Sequence, residues 1–100
     1  MVKKIGMFQL AKGKDSDEVW KYWIETHAAQ VKTLPGLRKY TINRVKSVTK
    51  GDVHFWGVAE LWFDTEEDYD KAFSHLVPDE FGTLVTDPRL SVWVEEKVIV

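Results

Sequence analysis

The sequence predicts an α+β domain of the ferredoxin-like type, with the element order β-α-β-β-α-β. Two segments have the apolar spacing of amphipathic helices, and each follows a run of helix-capping residues, at 15–18 and at 64–67. Short segments before, between and after them alternate apolar and polar residues, as strands do. We therefore expect residues 1–100 to form a single domain, with a four-stranded antiparallel sheet and both helices on one face.

The first strand is predicted over residues 3–10. Its alternation places Ile5 and Met7 on one face of the sheet and Phe8 and Leu10 on the other. A turn at residues 11–14 then leads to the first helix.

The first helix is predicted to begin after Asp15, since Glu18 stands three residues on, as in a capping box. One apolar stripe follows, at the spacing i, i+3, i+4, i+7 and i+11: Trp20, Trp23, Ile24, His27 and Val31. The run Leu34-Pro35-Gly36 predicts the end of this helix.

The second and third strands are predicted over residues 37–46 and 53–63. In the third strand one face is small or apolar and is expected to meet the helices: Phe55, Gly57, Ala59, Leu61 and Phe63. The opposite face carries His54, Trp56, Val58, Glu60 and Trp62.

The second helix is predicted to start at residues 64–67 and has an i, i+3, i+4, i+7 stripe: Tyr69, Ala72, Phe73 and Leu76. Residues 78–88 are predicted to be irregular or briefly helical, and residues 91–100 to form the last strand. That strand is apolar on both faces, with Val92, Val94, Val98 and Val100 on one and Trp93 and Ile99 on the other.

The sheet face that the helices leave uncovered is predicted to be apolar, with Trp56, Val58 and Trp62 on it. An antiparallel sheet normally keeps its open face polar, and an exposed apolar patch marks an interface. We expect a homodimer through sheet-to-sheet packing into an α+β barrel, with Glu60 paired to a basic residue across the interface. The alternative is that the loop 78–88 folds over this face.

Composition excludes several function classes. The chain has 100 residues, a net charge of −2 and no cysteine, which removes Cys-ligated metal sites and a basic nucleic-acid footprint. An RNA-recognition module shares the element order, but residues 52–57 do not follow its pattern of a basic residue, then glycine, then alternating aromatics. No apolar run reaches the ~20 residues that cross a bilayer, and the first residues are too mixed for a signal peptide. We expect a cytoplasmic protein without nucleic-acid or membrane partners.

Bound cofactors are not predicted. The three histidines lack the spacing of metal ligands, and no Gly-rich phosphate loop or dinucleotide fingerprint is present. His54 is predicted to lie at the surface or an interface, and His75 suits the C-terminal end of the second helix.

Three blocks of the sequence resemble EthD-like proteins. Residues 19–28 have the aromatic pair followed by Glu-x-His, and residues 34–40 and 59–67 resemble the next two blocks in register. The resemblance implies a dimeric α+β barrel, the superfamily that includes muconolactone-type isomerases, small polyketide cyclases and haem-degrading monooxygenases. It also implies a pocket between sheet and helices in each subunit.

The resemblance assigns two pocket residues. His27 and Tyr40 match the histidine and tyrosine that line the pocket in a methylmuconolactone isomerase-like relative. Leu61 falls where that relative has a cysteine, so an activity that needs a thiol there is not expected.

His27 is the main catalytic candidate, because imidazole moves protons at neutral pH and this one lies on an apolar stripe. An apolar setting keeps it neutral unless a carboxylate reaches it. Tyr40 is the candidate for polarising a carbonyl or holding an enolate. The alternatives are a core histidine bonded to a carbonyl and an amphipathic tyrosine at a strand end. Four further residues are predicted to line a substrate pocket, with core packing as their alternative: Trp20, Trp23, Phe55 and Leu61.

These observations favour a small-molecule enzyme that transfers protons without a cofactor, as an isomerase, lyase or cyclase. The expected substrate is an aromatic, lactone or polyketide-like compound. Two alternatives stay open: a haem- or oxygen-dependent monooxygenase with His27 as axial ligand, and a non-catalytic binding or accessory protein.

Overall fold

Four antiparallel strands form the sheet, as predicted. The computed structural model describes residues 1–100 and contains β1 (Val2–Leu10), β2 (Lys39–Arg44), β3 (Gly57–Phe63) and β4 (Val85–Val94). Their order in the sheet is β2-β3-β1-β4. The first and last strands of the chain, β1 and β4, are therefore neighbours in the sheet. Strands β2 and β4 form its two edges.

The helices cover one face of this sheet, which confirms the ferredoxin-like fold. The first helix is a continuous rod of α1 (Ser16–Tyr22), a π-helical segment (Trp23–His27) and α2 (Ala28–Val31). After β3 come α3 (Glu66–Phe73) and the short α4 (Phe81–Leu84), which falls in the segment predicted to be briefly helical. None of these helices has the length and apolar character needed to cross a membrane.

Side-chain caps start both long helices where the sequence predicts them. The Asp15 carboxylate accepts a hydrogen bond from the Glu18 amide at 2.9 Å. The Thr65 hydroxyl accepts one from the Asp68 amide at 3.1 Å. Each cap satisfies an amide that the first helical turn leaves without a partner.

The first helix buries a different stripe from the one predicted. Ile24 is 46% exposed, whereas Val19, Trp23 and Val31 are buried. The reason is the π-helical segment, in which the Ala28 amide bonds the Trp23 carbonyl and the turn is wider than in an α-helix. This wider turn keeps residues spaced by four on the face toward the sheet and rotates Ile24 away from it.

The core has an aliphatic part and an aromatic part. The aliphatic part lies under α2 and α3 and comprises Val31, Leu34, Leu61, Phe63 and Ala72. The aromatic part lies under α1 and α4 and comprises Val19, Trp23, Phe81 and Val85, with Phe8 and Trp56 packed against them.

Gly57 allows the aromatic part to pack closely. A Cβ at this position would stand 2.5 Å from Cε2 of Phe8 and 2.8 Å from Cζ3 of Trp23. The two rings therefore occupy the space that any other side chain at the start of β3 would fill.

The last strand lies earlier in the chain than predicted, at Val85–Val94 rather than 91–100. Pro88, which the sequence analysis treated as a loop residue, is part of it, because β4 is an edge strand and the missing amide costs no ladder bond. The register with β1 shifts between Met7 and Gln9, close to this proline. Beyond Val94 the chain has no strand to pair with, so the predicted strand residues Val98 and Ile99 are exposed.

The third strand begins at Gly57, and the residues before it are irregular. Trp56 is therefore not on the open face, where the alternation predicts it. Its ring lies 5.8 Å from that of Trp23, and its indole nitrogen donates to the Ser16 hydroxyl at 2.8 Å. These two contacts hold the Trp56 ring on the helix side.

The open face of the sheet remains free of chain segments other than the C-terminal residues. The loop 78–88 packs on the helix side through Phe81, so the alternative in which this loop covers the open face is wrong. Glu60 finds its cation within the chain, at 2.8 Å from Lys3 Nζ, rather than requiring one from a partner.

Candidate functional site

A cavity of about 120 Å³ lies between the sheet and the helices. Its floor consists of two rows of residues that the strand register sets side by side. One row reads Tyr40, Leu61 and Lys4 across β2, β3 and β1, and it continues to Trp93 on β4, outside the cavity lining. The next row is small on three strands: Ala59, Gly6 and Ser91.

The small row creates the space. A Cβ added at Gly6 would meet no atom within 4 Å, although β1 is one of the two central strands and the helices pass above it. The helices supply the walls and roof of the cavity: Trp23, His27, Val31, Tyr69, Phe73 and Phe81.

A wider outer groove of about 510 Å³ adjoins this cavity on the side of α3 and α4. His27 and four aromatic residues line both spaces and form the boundary between the cavity and the groove: Phe8, Tyr69, Phe73 and Phe81. Asp79 and Arg89 line the groove only. A ligand that enters the cavity from the groove crosses this boundary, which includes the imidazole.

His27 is hydrogen-bonded to a carboxylate. Its Nδ1 lies 2.8 Å from Oδ2 of Asp79, and the two side chains are 18% and 15% exposed. The imidazole also stacks on the Phe81 ring, with a centroid distance of 4.5 Å and an interplanar angle of 16°. These contacts fix both the position and the plane of the ring.

Asp79 is itself held in place from two sides. The Phe81 amide donates to its Oδ1 at 2.8 Å, and the Gln30 side-chain amide donates to its Oδ2 at 3.3 Å. Gln30 in turn accepts a hydrogen bond from the Val77 amide at 2.7 Å. The loop between α3 and α4 is thus tied to the first helix, and its carboxylate cannot swing freely.

This arrangement determines which imidazole nitrogen does chemistry. A carboxylate at Nδ1 favours the proton on that nitrogen, so the lone pair of the neutral ring lies on Nε2. The carboxylate also stabilises the imidazolium that forms when Nε2 takes a proton, as in His–Asp pairs of hydrolytic enzymes. The arrangement therefore leaves Nε2 as the imidazole nitrogen that can accept a proton, with Asp79 at Nδ1.

Tyr40 lies at the other side of the cavity floor. Burial raises the pKa of the Tyr40 phenol, and a weak hydrogen bond from the Trp23 indole, at 3.4 Å, opposes this only in part. The phenol is consequently protonated at neutral pH. Because its oxygen accepts from Trp23, its own O–H remains available to donate to a ligand oxygen.

Lys4 projects onto the same floor, and sequence reasoning missed it. Its Nζ lies 4.5 Å from the centroid of the Trp93 ring and 4.9 Å from that of Tyr69. The salt bridges of the protein do not include it. The alternation of β1 contains the signal, because Lys4, Gly6 and Phe8 must share one face.

Asp79 was also missed, and no sequence signal would have found it. It lies in an irregular segment and is 52 residues from His27 along the chain. Only the folded loop brings the two together.

Four of the six predicted site residues line the cavity: Trp23, His27, Tyr40 and Leu61. Trp20 does not; it packs edge-on against Trp23 at 5.6 Å, with the Arg44 guanidinium over its ring. Phe55 precedes β3 and also lies outside the cavity lining. The structure brings together no group of three or more side chains that could ligate a metal.

The fold and the enclosed cavity define a ferredoxin-like α+β protein with a small-molecule-sized site. The sequence matches the EthD domain family over residues 11–88, and the chain belongs to this family. The predicted resemblance is thereby confirmed. No curated protein matches the chain.

Solved structures of similar fold include three from bacteria. An EthD family protein from Bacillus halodurans is 24% identical, with a TM-score of 0.70 over 97% of this chain and 99% of that one. A dimeric protein of ferredoxin-like fold from Bacteroides fragilis is 18% identical, with a TM-score of 0.68 over 95% of each chain. SnoaB, a cofactor-independent oxygenase from Streptomyces nogalater, is 16% identical, with a TM-score of 0.65 over 99% of this chain and 95% of that one.

Proposed function

We propose that the protein is an enzyme that transfers protons on a small cyclic carbonyl compound without a cofactor, in the isomerase, lyase or cyclase class. The observation that carries this proposal is the 2.8 Å contact between His27 Nδ1 and Asp79 Oδ2 at the wall of a cavity lined with aromatic rings. A general base, a phenol donor and an apolar enclosure are together sufficient for such chemistry.

The reaction begins when Nε2 of His27 removes a proton from a carbon next to the substrate carbonyl. The C–H electron pair moves into the ring system and the carbonyl oxygen becomes an enolate, which the Tyr40 hydroxyl stabilises by donating a hydrogen bond. Asp79 stabilises the imidazolium meanwhile. The imidazolium then returns the proton to a different carbon, which completes an isomerisation. In a lyase the enolate instead expels a leaving group from the β-carbon, and the imidazolium protonates that group. In a cyclase the enolate carbon attacks a second carbonyl of the substrate, whose oxygen takes the proton from the imidazolium.

The cavity size limits the substrate. An apolar cavity of about 150 Å³ is known to take up a benzene ring, and this one measures about 120 Å³. One flat five- or six-membered ring is therefore the expected occupant, and the adjoining groove is wide enough for its substituents. An aromatic compound, a lactone or a short cyclic polyketide meets this description.

Proton exchange with heavy water tests the proposal without knowledge of the product. Single-ring lactones and aryl ketones incubated with the enzyme in deuterium oxide are expected to lose the NMR signals of their α-protons. The substitution His27→Asn should slow this exchange by about 10²–10⁴-fold, the usual loss of a general base. Asp79→Asn should slow it as well, because the amide no longer fixes the tautomer, and Tyr40→Phe should slow it less.

The matched control is His75→Asn, which removes an exposed histidine at the end of the second helix region. It should leave exchange unchanged. If His27→Asn folds, as judged by its circular dichroism, and still exchanges at the wild-type rate, the proposal is wrong. If no member of the panel exchanges but some bind, the non-catalytic binding role is favoured instead.

Oxygenation is a second candidate, favoured by the similarity in fold to the cofactor-independent oxygenase SnoaB. Oxygenation shares its deprotonation step with the proposed proton transfer, since an enolate or phenolate is the species that reacts with oxygen. An oxygen electrode separates the two, because only the oxygenase consumes oxygen with substrate. A haem-dependent monooxygenase is the other alternative. In a hemin titration, a stable Soret band that is lost in His27→Ala would favour it over both.

We also propose a homodimer that packs the open sheet faces together. This face presents an apolar centre formed by Ile5, Met7, Val58, Leu90 and Val92, and Leu90 is 45% exposed. Such a patch is typical of an interface, and a protein of similar fold is dimeric. Light scattering should give twice the chain mass of 11.6 kDa. Met7→Glu with Val92→Glu should give the monomer mass, whereas a monomeric unmodified protein would contradict the proposal.

A further inference from the structure

We propose that the cavity selects substrates that carry a carboxylate, and that Lys4 is the residue that binds it. This inference rests on the proposed function, because it takes the cavity to be the substrate site. It adds the charge of the substrate and the position of that charge relative to the reacting carbonyl.

The first argument is the contrast between two consecutive lysines. Lys3 faces the open side of the sheet, where its Nζ lies 2.8 Å from Glu60 and 2.9 Å from Glu96. Lys4 faces the helices, where it pairs with no carboxylate. The half-buried Lys4 ammonium therefore has capacity for an anion, which the paired Lys3 ammonium lacks.

The second argument is how the Lys4 ammonium is held. Trp93 and Tyr69 flank it at 4.5 and 4.9 Å. Cation–π contacts offset part of the hydration that the ammonium loses, and they leave its N–H groups free to donate. A carboxylate brought into this partly dry space meets a stronger attraction than it would in water.

The third argument is the layout of the cavity floor. Tyr40 and Lys4 occupy the same cross-strand row, with Leu61 between them. Neighbouring strands are about 4.8 Å apart, so the backbones of β2 and β1 are separated by about 10 Å. A ring with its carbonyl at Tyr40 therefore points its opposite edge at Lys4, which predicts a carboxylate across the ring from the carbonyl rather than beside it.

Two isosteric probes test the charge. Isothermal titration calorimetry on the wild-type protein should show that 4-acetylbenzoate binds about ten- to hundredfold more tightly than the neutral 4-acetylbenzamide, as one charge-assisted contact provides. The isomer 2-acetylbenzoate should bind more weakly than 4-acetylbenzoate. Lys4→Met should abolish the preference for the acid, while Lys3→Met, which changes the neighbouring lysine on the other face, should retain it.

A third variant ties the binding to the cavity. Gly6→Val places methyl groups in the open space above the floor, so it should block both probes while the fold persists. Equal affinity of the wild-type protein for the two probes, a preference that survives Lys4→Met, binding that survives Gly6→Val, or no binding of either probe at millimolar concentration would each overturn the inference. If Lys4→Met does not fold, Lys4→Gln replaces it, and the wild-type comparison stands by itself.

The outcome for this inference is separate from that of the proposed function. His27→Asn should keep the preference for 4-acetylbenzoate, because the carboxylate contact does not involve the imidazole. Loss of proton exchange in that variant supports the catalytic role of His27, and loss of the acid preference in Lys4→Met supports the role of Lys4. Either result can fail while the other holds.

Discussion

The two faces of the sheet differ in whether their polar groups are paired within the protein. On the open face Lys3, Glu60 and Glu96 satisfy one another, and Thr41 and Asn43 also donate to Glu60, at 3.0 and 3.3 Å. On the helix-covered face the polar groups point into a cavity. Tyr40 retains a free O–H, His27 a free Nε2 and Lys4 an ammonium without a counter-ion.

Whether a polar group is paired indicates a structural or a functional role more clearly than its residue type does. Polar groups kept near an apolar interior cost free energy unless they are paired. The chain pairs its polar groups on the open face but leaves several of them without a protein partner beside the cavity. This contrast supports the proposed role of the cavity as a substrate site. The covered face is therefore the place to look for chemistry, and the open face for assembly.

The largest expected difference between the faces concerns two tryptophans. Trp23 on the covered face is 1% exposed and packs against the rings of Phe8, Trp20, Trp56 and Phe81. Trp23→Ala should lower the free energy of unfolding by about 3–5 kcal/mol, because rigid neighbouring rings cannot collapse into the space. Urea denaturation measures this loss.

Trp62 on the open face is the comparison. It is 8% exposed, but the groups over its ring are the flexible side chains of Lys3 and Lys39, with Glu96 accepting from its indole nitrogen at 3.0 Å. Trp62→Ala should cost less, about 1–3 kcal/mol, since those side chains can move into the vacated space. An equal or larger loss than that of Trp23→Ala would show that the open face is as tightly packed as the core.

The next prediction tests the close packing of the covered face by a single methyl group. Gly57→Ala places a Cβ within 3 Å of Phe8 and Trp23, and overpacking of this kind typically costs about 1–3 kcal/mol. Gly82→Ala is the control, because a Cβ there meets nothing within 4 Å. It should be neutral or slightly stabilising, since it restricts the unfolded chain. Equal midpoints for the two variants would contradict this account.

Most of the fold could be predicted from the sequence, because local signals and tertiary structure agree. The caps at Asp15 and Thr65 and the alternation in β1 and the middle of β3 each specify their element alone. The predictions from sequence fail where a contact between residues far apart in the chain determines the local structure. The last strand starts at Val85 because β1 offers a partner there. Trp56 lies on the helix side because its ring packs against Trp23 and its indole nitrogen donates to Ser16.

The site could be predicted only in part, for a similar reason. His27 and Tyr40 were identified by position and by resemblance, and both line the cavity. Asp79 could not be identified, because a loop residue acquires a partner only when the chain folds. Lys4 was within reach of the alternation, but a lysine at a strand position is more often solvated than enclosed.

The smallest effect is expected in the pH dependence of stability. It arises from the carboxylates on the open face. The hydrogen bond from Lys3 is the main cause that lowers the pKa of Glu60, and the bond from the Trp62 indole is the main cause that lowers the pKa of Glu96. A carboxyl whose pKa is lower in the folded state contributes stability above its unfolded pKa, and this contribution is lost as the pH falls through the folded value. The protein should therefore lose stability below about pH 4.5, the usual value for glutamate.

The acid limb of the stability curve should flatten in Glu60→Gln and stay as in wild type in Glu67→Gln, which removes an exposed acid on α3. Since the Lys3 network is partly exposed to solvent, the effect is modest and about 1 M salt should reduce it further, because the screening length is then ~3 Å. Thermal unfolding between pH 3 and pH 7 at low and high salt provides the measurement. An acid limb that survives both Glu60→Gln and high salt would mean that an acid other than Glu60 controls it, such as Glu96 or Asp64, whose pKa values are also lowered.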